Sequence, residues 1–378
     1  MSKHLRELIV DLDAISANTA VLVDRSASGQ VMAVVKADAY GHGLVPSARA
    51  ALRGGASWLG VALLDEALQL RAAGVRAPLL AWLLGPGERW SDALGADVDL
   101  SVSAPWVLDE ITEAARELGT VARIHLKVDS GLGRSGTPVR EWPLLVDAAR
   151  KAELDGTVRV VGVWSHLAYA DAPGHPTIDR QLARFTDAIH LAEASGLTPE
   201  VRHLANSAAT LTRSDTHFDL TRPGLSVYGL SPLPDSPPDE LGLRPAMTLQ
   251  ARLALVKRVP SGHGVSYLHR YVTNRETTLG LVPLGYADGV PRDATNLGPV
   301  LVGGRRRTVA GVVCMDQFML DLGDDASAAG DLVVLFGSGA TGEPTAQDWA
   351  DATGTISYEI VTRVGPRVAR RYLGDTGP

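Results

Sequence analysis

Lys36 ends a nearly continuous apolar run in AVVKADAYGHG (33–43), and Asp, Tyr, His and two glycines follow it. A lysine at the end of a buried strand is either a side chain reaching for solvent or an amine held at the mouth of a cavity. In the second case desolvation lowers its pKa from the ordinary value of about 10.4 and frees the amine to react. Such an amine forms a Schiff base with an aldehyde, either of a sugar-like substrate or of pyridoxal phosphate. Other polar groups stand at the ends of later apolar runs: Lys127 with Asp129, Ser165 with His166, Asn206 with Ser207, then Arg222. The set holds two amines, an imidazole, a guanidinium and small hydrogen-bonding groups, with no carboxylate pair and no cysteine. HExxH, GxSxG and a complete phosphate-binding loop are absent, and GHGLVP (41–46) carries only two glycines of a dinucleotide fingerprint. His42, His166 and Cys314 lack the close spacing of a structural zinc site, so no metal is expected.

Side chains so far apart in sequence need a scaffold that brings strand ends to one rim. The predicted strands are QVMAVVKA (30–37), SWLGVA (57–62), APLLAWLL (77–84), VDLSV (98–102), VARIHLKVD (121–129), VRVVGVWSHLA (158–168) and VRHLANS (201–207). Between them lie amphipathic helices, one presenting Val107, Ile111, Ala114 and Leu118 on a face, another Ile178, Leu182, Phe185 and Ile189. Apolar strands alternating with such helices predict a parallel sheet covered on both faces. Seven or eight units fit a closed (β/α)8 TIM-like barrel better than an open doubly wound sheet, and a barrel keeps its chemistry at the carboxyl ends of its strands. PLPDSPPDE (232–240) then punctuates the chain. Beyond it MTLQARLALVKRV (247–259), TTLGLVPLG (277–285), RRTVAGVV (306–313) and DLVVLFG (331–337) predict a mainly-β domain with one short helix around TAQDWADAT. Two domains are therefore expected, 1–240 and 241–378, with the first residues packing on the second.

Composition narrows the function classes. Charged residues are 21% and the net charge is -7, which leaves no basic surface for nucleic acid. No apolar stretch is long enough to cross a membrane, and a single cysteine without an export signal leads us to expect a cytoplasmic protein.

Taken in order, VVKADAYGHG, HLKVDSGLGRSG (125–136), WSHLAYAD (164–171), LANSAAT (204–210), TRPGLSVYG (221–229), GHGVSYLHRY (262–271), GYADGVPR (285–292), GVVCMDQFMLD (311–321) and TISYEIVTRV (355–364) closely resemble the alanine racemase family. The resemblance implies a pyridoxal 5'-phosphate enzyme that interconverts L- and D-alanine by two-base α-proton transfer and supplies D-alanine for peptidoglycan. It also implies a homodimer whose sites draw on both chains. By motif, Lys36 is then the cofactor lysine and Tyr267 the second acid–base residue, delivered by the other copy. Arg222 faces the pyridine nitrogen. Tyr40, Ser207, Tyr358 and the backbone around Gly224 and Leu225 hold the phosphate, with Asn206 beside them. Arg134 and the backbone at Met315 hold the substrate carboxylate, and His166 links Tyr267 to Arg222. Lys127 matches a lysine that the family often carbamylates, while Tyr286 and Asp316 belong to the entrance. One stretch departs: after GVSY the family commonly has glycine and small residues, whereas Leu268 and His269 stand here, so a different loop path is expected. The alternatives are a related racemase acting on serine or a broader range of amino acids, and a non-catalytic pyridoxal-phosphate-binding protein.

Overall fold

A computed structural model describes residues 4–375; the outermost residues of both expected domains lie beyond them. The first strand, β1 (Arg6–Asp11), leads through the helix Leu12–Arg25 into a set of short parallel strands. These are β2 (Met32–Val34), β3 (Trp58–Val61), β4 (Leu79–Ala81), β5 (Asp99–Val102), β6 (Ala122–Asp129), β7 (Val158–Trp164) and β8 (Val201–His203), each hydrogen-bonded to the next. The segment after β8 takes the eighth place. Asp219 N–H donates to Arg202 O and Arg222 N–H to Ala205 O, while Met32 N–H and Val34 N–H donate to Thr221 O and Pro223 O. Thr221 also pairs in parallel with Val31, so the sheet curls round to its own first strand. Met32, Trp58, Leu80, Val161, Val201 and Leu220, one from each of six staves, form a buried cluster apart from the main core, as the inside of such a curl requires.

The helices follow local signals. Pro105 starts the helix Pro105–Leu118 and Gly119, in the left-handed region, stops it. Val107, Ile111 and Ala114 are buried as expected, but Leu118 is 48% exposed: it is the last helical residue, beyond the edge of the sheet the helix covers.

The second region is antiparallel apart from one contact. Its strands are β9 (Met247–Arg252), β10 (Leu255–Val259), β11 (Gly264–Val265), β12 (Tyr271–Val272), β13 (Thr277–Val282), β14 (Pro299–Val302), β15 (Arg305–Thr308), β16 (Phe318–Gly323), β17 (Leu332–Phe336) and β18 (Ala369–Leu373). The apolar run expected as one strand over 247–259 is two. Leu253 N–H donates to Asp331 O and Ala254 N–H to Leu281 O, so the chain steps there from a six-stranded sheet (β15-β14-β17-β9-β1-β18) to a three-stranded one (β10-β13-β16). In the larger sheet β1 lies antiparallel to β9 and parallel to β18. Glu7, 2% exposed, fixes that register by accepting from Gln250 on one side and Arg371 on the other.

Immediately after β2 the backbone does something costly. Ala37, Asp38, Ala39 and Tyr40 all have φ between 53° and 55°, a full left-handed turn without a glycine, at about 1–2 kcal/mol per residue. Its surroundings specify it. Ala37 N–H donates to Glu66 Oε1 (2.5 Å), Ala39 N–H to Val35 O, and Leu44 N–H to Asp38 Oδ1 (2.8 Å). His42 Nδ1 lies 3.0 Å from both Ala39 O and Tyr40 O, and its ring stacks on Tyr228 at 4.5 Å. Asp38 and His42, which had no evident chemistry in the sequence, thus shape the turn that aims Lys36.

Candidate active site

A cavity of about 1690 Å³ opens at the carboxyl ends of the parallel strands. Lys36 follows β2, Lys127 sits near the end of β6, Trp164 ends β7 with His166 just after it, and Asn206 and Ser207 follow β8. Arg222 and Gly224 arrive on the closing segment, Arg134 on the loop after β6, and Tyr358 on the C-terminal helix Ser357–Thr362. That helix lies within a stretch read as a motif but not foreseen as helical.

Four basic side chains, Lys36, Lys127, Arg134 and Arg222, converge here, and few acids balance them. Burial, then Arg134, lowers the Lys36 pKa, with Glu66 opposing. Lys127 is 3% exposed; its Nζ donates to Ser135 Oγ (2.6 Å) and stands 4.1 Å from the Trp164 ring centroid. Burial, then Arg222 and Arg134, brings its pKa down to about 7, so much of it is an uncharged amine at neutral pH. Arg222, 4% exposed, holds its guanidinium 4.7 Å from the same indole. It donates to Ser165 O (2.7 Å), Leu204 O (3.2 Å), His203 Nδ1 (3.1 Å) and His166 Nδ1 (3.4 Å). Burial pulls Arg222 below its ordinary range, but a guanidinium remains charged. Burial and the neighbouring cations keep His166 neutral. Because Arg222 can only donate, His166 Nδ1 accepts and Nε2 carries the hydrogen.

A second group is built for an anion. Ser207 Oγ accepts from Gly224 N–H (2.8 Å) and Ser226 N–H (3.4 Å), which leaves the Ser207 hydroxyl hydrogen free to donate. A Cβ on Gly224 would collide with Tyr40 Oη, so only glycine lets the Tyr40 phenol approach this backbone. The Tyr40 and Tyr358 rings stand 6.2 Å apart, and burial raises both pKa values, keeping the phenols protonated as donors. Asn206 Oδ1 caps the short helix Ser207–Thr212 through Ala209 N–H (3.1 Å), and Leu225 is buried beside it at the start of a tight turn. Two protonated phenols and a hydroxyl free to donate suit a phosphate dianion.

Four expected residues do not join this cavity. Tyr267 is 70% exposed on the loop between β11 and β12; Met315 and Tyr286 are also exposed, and Asp316 pairs with Arg367 at 2.6 Å. They form their own cluster in the β-rich region. Tyr286 N–H donates to Cys314 O and Ala287 N–H to Met315 O, an approach so close that a Cβ on Gly285 would collide with both carbonyls. Ser266 Oγ donates to Val312 O (2.8 Å), tying the tyrosine loop to the same connection between β15 and β16. Leu268 and His269 take φ of 61° and 44°, a left-handed path that glycine adopts freely.

Trp164, the partner of two cations, was not expected as a site residue, although its place at a strand end next to His166 was the available signal. Behind Arg222, His203, His125 and Asp99 form a buried polar line that was also missed.

The family model described as "Alanine racemase, N-terminal domain" matches residues 10–232, and "Alanine racemase, C-terminal domain" matches 246–372. The alanine racemase of Frankia casuarinae is 62% identical over 97% of this chain and 95% of its own. The crystal structure of alanine racemase from D-cycloserine-producing Streptomyces lavendulae superposes with a TM-score of 0.98 at 56% identity, covering 99% of this chain and 98% of that one. The Corynebacterium glutamicum alanine racemase structure gives 0.85 at 38% identity, covering 98% and 100%.

Proposed function

The chain belongs to the alanine racemase family, and from that premise we propose how its own residues interconvert L- and D-alanine. The reaction uses pyridoxal 5'-phosphate and yields D-alanine for peptidoglycan. The cavity suits that cofactor: cations and neutral donors line it, and the bare backbone of Gly224 leaves room beside Tyr40. In our reading Lys36 anchors the cofactor. Tyr40, Ser207, Tyr358 and the backbone around Gly224 and Leu225 hold its phosphate, Asn206 braces Ser207, and Arg222 donates to the ring nitrogen. When bound, the cofactor supplies a sink for the electron pair that proton loss leaves on the α-carbon.

The protein's part is to place one base on each face of that carbon. The Lys36 amine, its pKa lowered by burial, takes or returns the proton on one side. Tyr267 Oη from a second copy serves the other, and the His166 Nε2 hydrogen donates to it. His166 is polarised in turn by Arg222, which favours phenolate. Arg134 and the backbone at Met315 hold the substrate carboxylate, and Tyr286 and Asp316 border the entrance. A neutral Lys127 amine also adds carbon dioxide: the N–C bond forms, one proton leaves, and the carbamate anion orients Arg134. We place the enzyme in the cytoplasm, with the barrel over 1–240, apart from β1, which joins the sheet of the β-rich domain over 241–378. Among the described residues no helix is long and apolar enough to cross a membrane.

The observation that carries the two-copy reading is the separation of Tyr267, highly exposed, from the cavity that holds Lys36. Lys36→Ala and Tyr267→Phe chains, each inactive, are expected to regain about a quarter of wild-type racemisation when mixed and allowed to exchange, as random pairing predicts. Verified heterodimers that stay inactive would refute the shared site.

A further inference from the structure

The inside of a parallel barrel is normally filled by branched apolar side chains. Here three polar residues on three staves interrupt that filling: Asp99 on β5, His125 on β6 and His203 on β8, at 2%, 0% and 0% exposure. They touch in sequence. Arg222 Nη1 lies 3.1 Å from His203 Nδ1, His203 Nε2 lies 2.9 Å from His125 Nδ1, and His125 Nε2 lies 3.1 Å from Asp99 Oδ2. At the far end Arg123 closes on the same carboxylate with two bonds, at 2.7 and 3.1 Å.

Hydrogen-bonding capacity alone fixes the direction of this line. A guanidinium has no acceptor, so His203 Nδ1 must accept and its hydrogen sits on Nε2. That hydrogen is given to His125 Nδ1, so the His125 hydrogen also sits on Nε2 and points at Asp99. Read from the other end, the answer is the same. Burial works to raise Asp99, yet hydrogen bonds from His125 and Arg123 hold it below its ordinary value, and an ionised carboxylate can only accept. His203 is kept neutral by burial and by Arg222. The packing also specifies the line: His203 stacks on Trp164 at 5.5 Å and 6°, and a Cβ on Gly162 would collide with the His125 ring.

We propose that Asp99, His125 and His203 are positioning residues for the racemase reaction, a one-directional hydrogen-bond line that ties the buried Arg222 cation to a buried anion across the barrel. The line holds the guanidinium plane still without placing a carboxylate at the cofactor. The catalytic part rests on the reading that Arg222 faces the cofactor ring; the direction of the line does not.

The test separates the two. In protein labelled with ¹⁵N-histidine, with and without pyridoxal phosphate, His125 and His203 are both expected at neutral pH as the Nε2–H tautomer with an unprotonated Nδ1. Either ring carrying hydrogen on Nδ1 overturns the line. Asp99→Asn keeps the shape and removes the charge, and His203→Asn keeps an oxygen for Arg222 but cuts the link to His125. Each is expected to lower kcat by about tenfold while KM for alanine stays within about twofold. Unchanged kcat in folded holoenzyme, with only thermal stability reduced, overturns the catalytic part. Arg222→Lys is the control: an absorbance band of bound cofactor that it leaves unmoved overturns the place of Arg222 at the ring, and the tautomers then decide the line alone.

Discussion

His42 donates its Nδ1 hydrogen to the carbonyls of Ala39 and Tyr40, and its Nε2 is buried without a partner. Adding a proton would bury a charge and an unmet donor together, so burial lowers its pKa from 6.5 to about 4. Between those values the unfolded chain binds the extra proton and the folded chain does not. The contribution of His42 is therefore full above pH 6.5 and is lost as pH falls toward 4, on the order of 3 kcal/mol in all. His42→Asn, which keeps a donor but cannot titrate, is expected to show a shallower fall in Tm across that window than wild type; parallel Tm curves would contradict this. Lys127 titrates in the same direction with a consequence for chemistry, since only its neutral form adds carbon dioxide. With ¹³C-bicarbonate, a carbamate resonance is expected that weakens as pH falls through about 7 and is missing in Lys127→Ala. These residues also show what was readable beforehand. Lys36, Lys127, His166, Ser207 and Arg222 stand at strand ends, where a barrel gathers side chains, and they do line one cavity. Asp99, His125 and His203 lie within strands, where a polar residue reads as an outward one. The spacing of His125 and Lys127, two apart and so on one face of β6, was the usable hint.

At the scale of single elements, the left-handed turn over residues 37–40 was the least legible. Nothing in ADAY signals φ > 0, because the reasons lie in Glu66, Asp38, His42 and Tyr228, which are distant in sequence or seemed idle. Ala37 is exposed and touches the question directly. Ala37→Gly is expected to be tolerated or slightly stabilising, whereas Ala37→Val puts a β-branched residue at φ 55° and should lower the urea midpoint by the equivalent of about 1–2 kcal/mol. Equal midpoints for the two would remove the strain argument. The strand at 247–259 failed to read as two for a related reason: its apolar pattern is continuous, and only the partners Asp331 and Leu281 divide it. The alternation of apolar strands with amphipathic helices, by contrast, carries its own signal, and the parallel curl followed by antiparallel sheets was visible from it.

For the whole molecule, the proposed delivery of Tyr267 by a second copy would make assembly a condition of activity. Specific activity is expected to fall on dilution below the dimer dissociation constant while far-ultraviolet circular dichroism stays unchanged; activity independent of concentration in a demonstrated monomer would overturn it. Apart from the barrel, the chain's ends are stitched together, with β1 held between β9 and β18 and Glu7 bonded to Arg371, 364 residues away. That closure sets a clock during synthesis. A ribosome adding about 5–20 residues per second needs roughly 20–70 s to deliver the last neighbour of the first strand. Throughout that time the apolar Leu8, Ile9 and Val10 have no parallel partner, and the antiparallel one, Met247–Arg252, arrives only two thirds of the way through. The nascent chain must therefore shelter its first strand for most of its own translation, and a message cut short before residue 369 would release a protein with that edge still open.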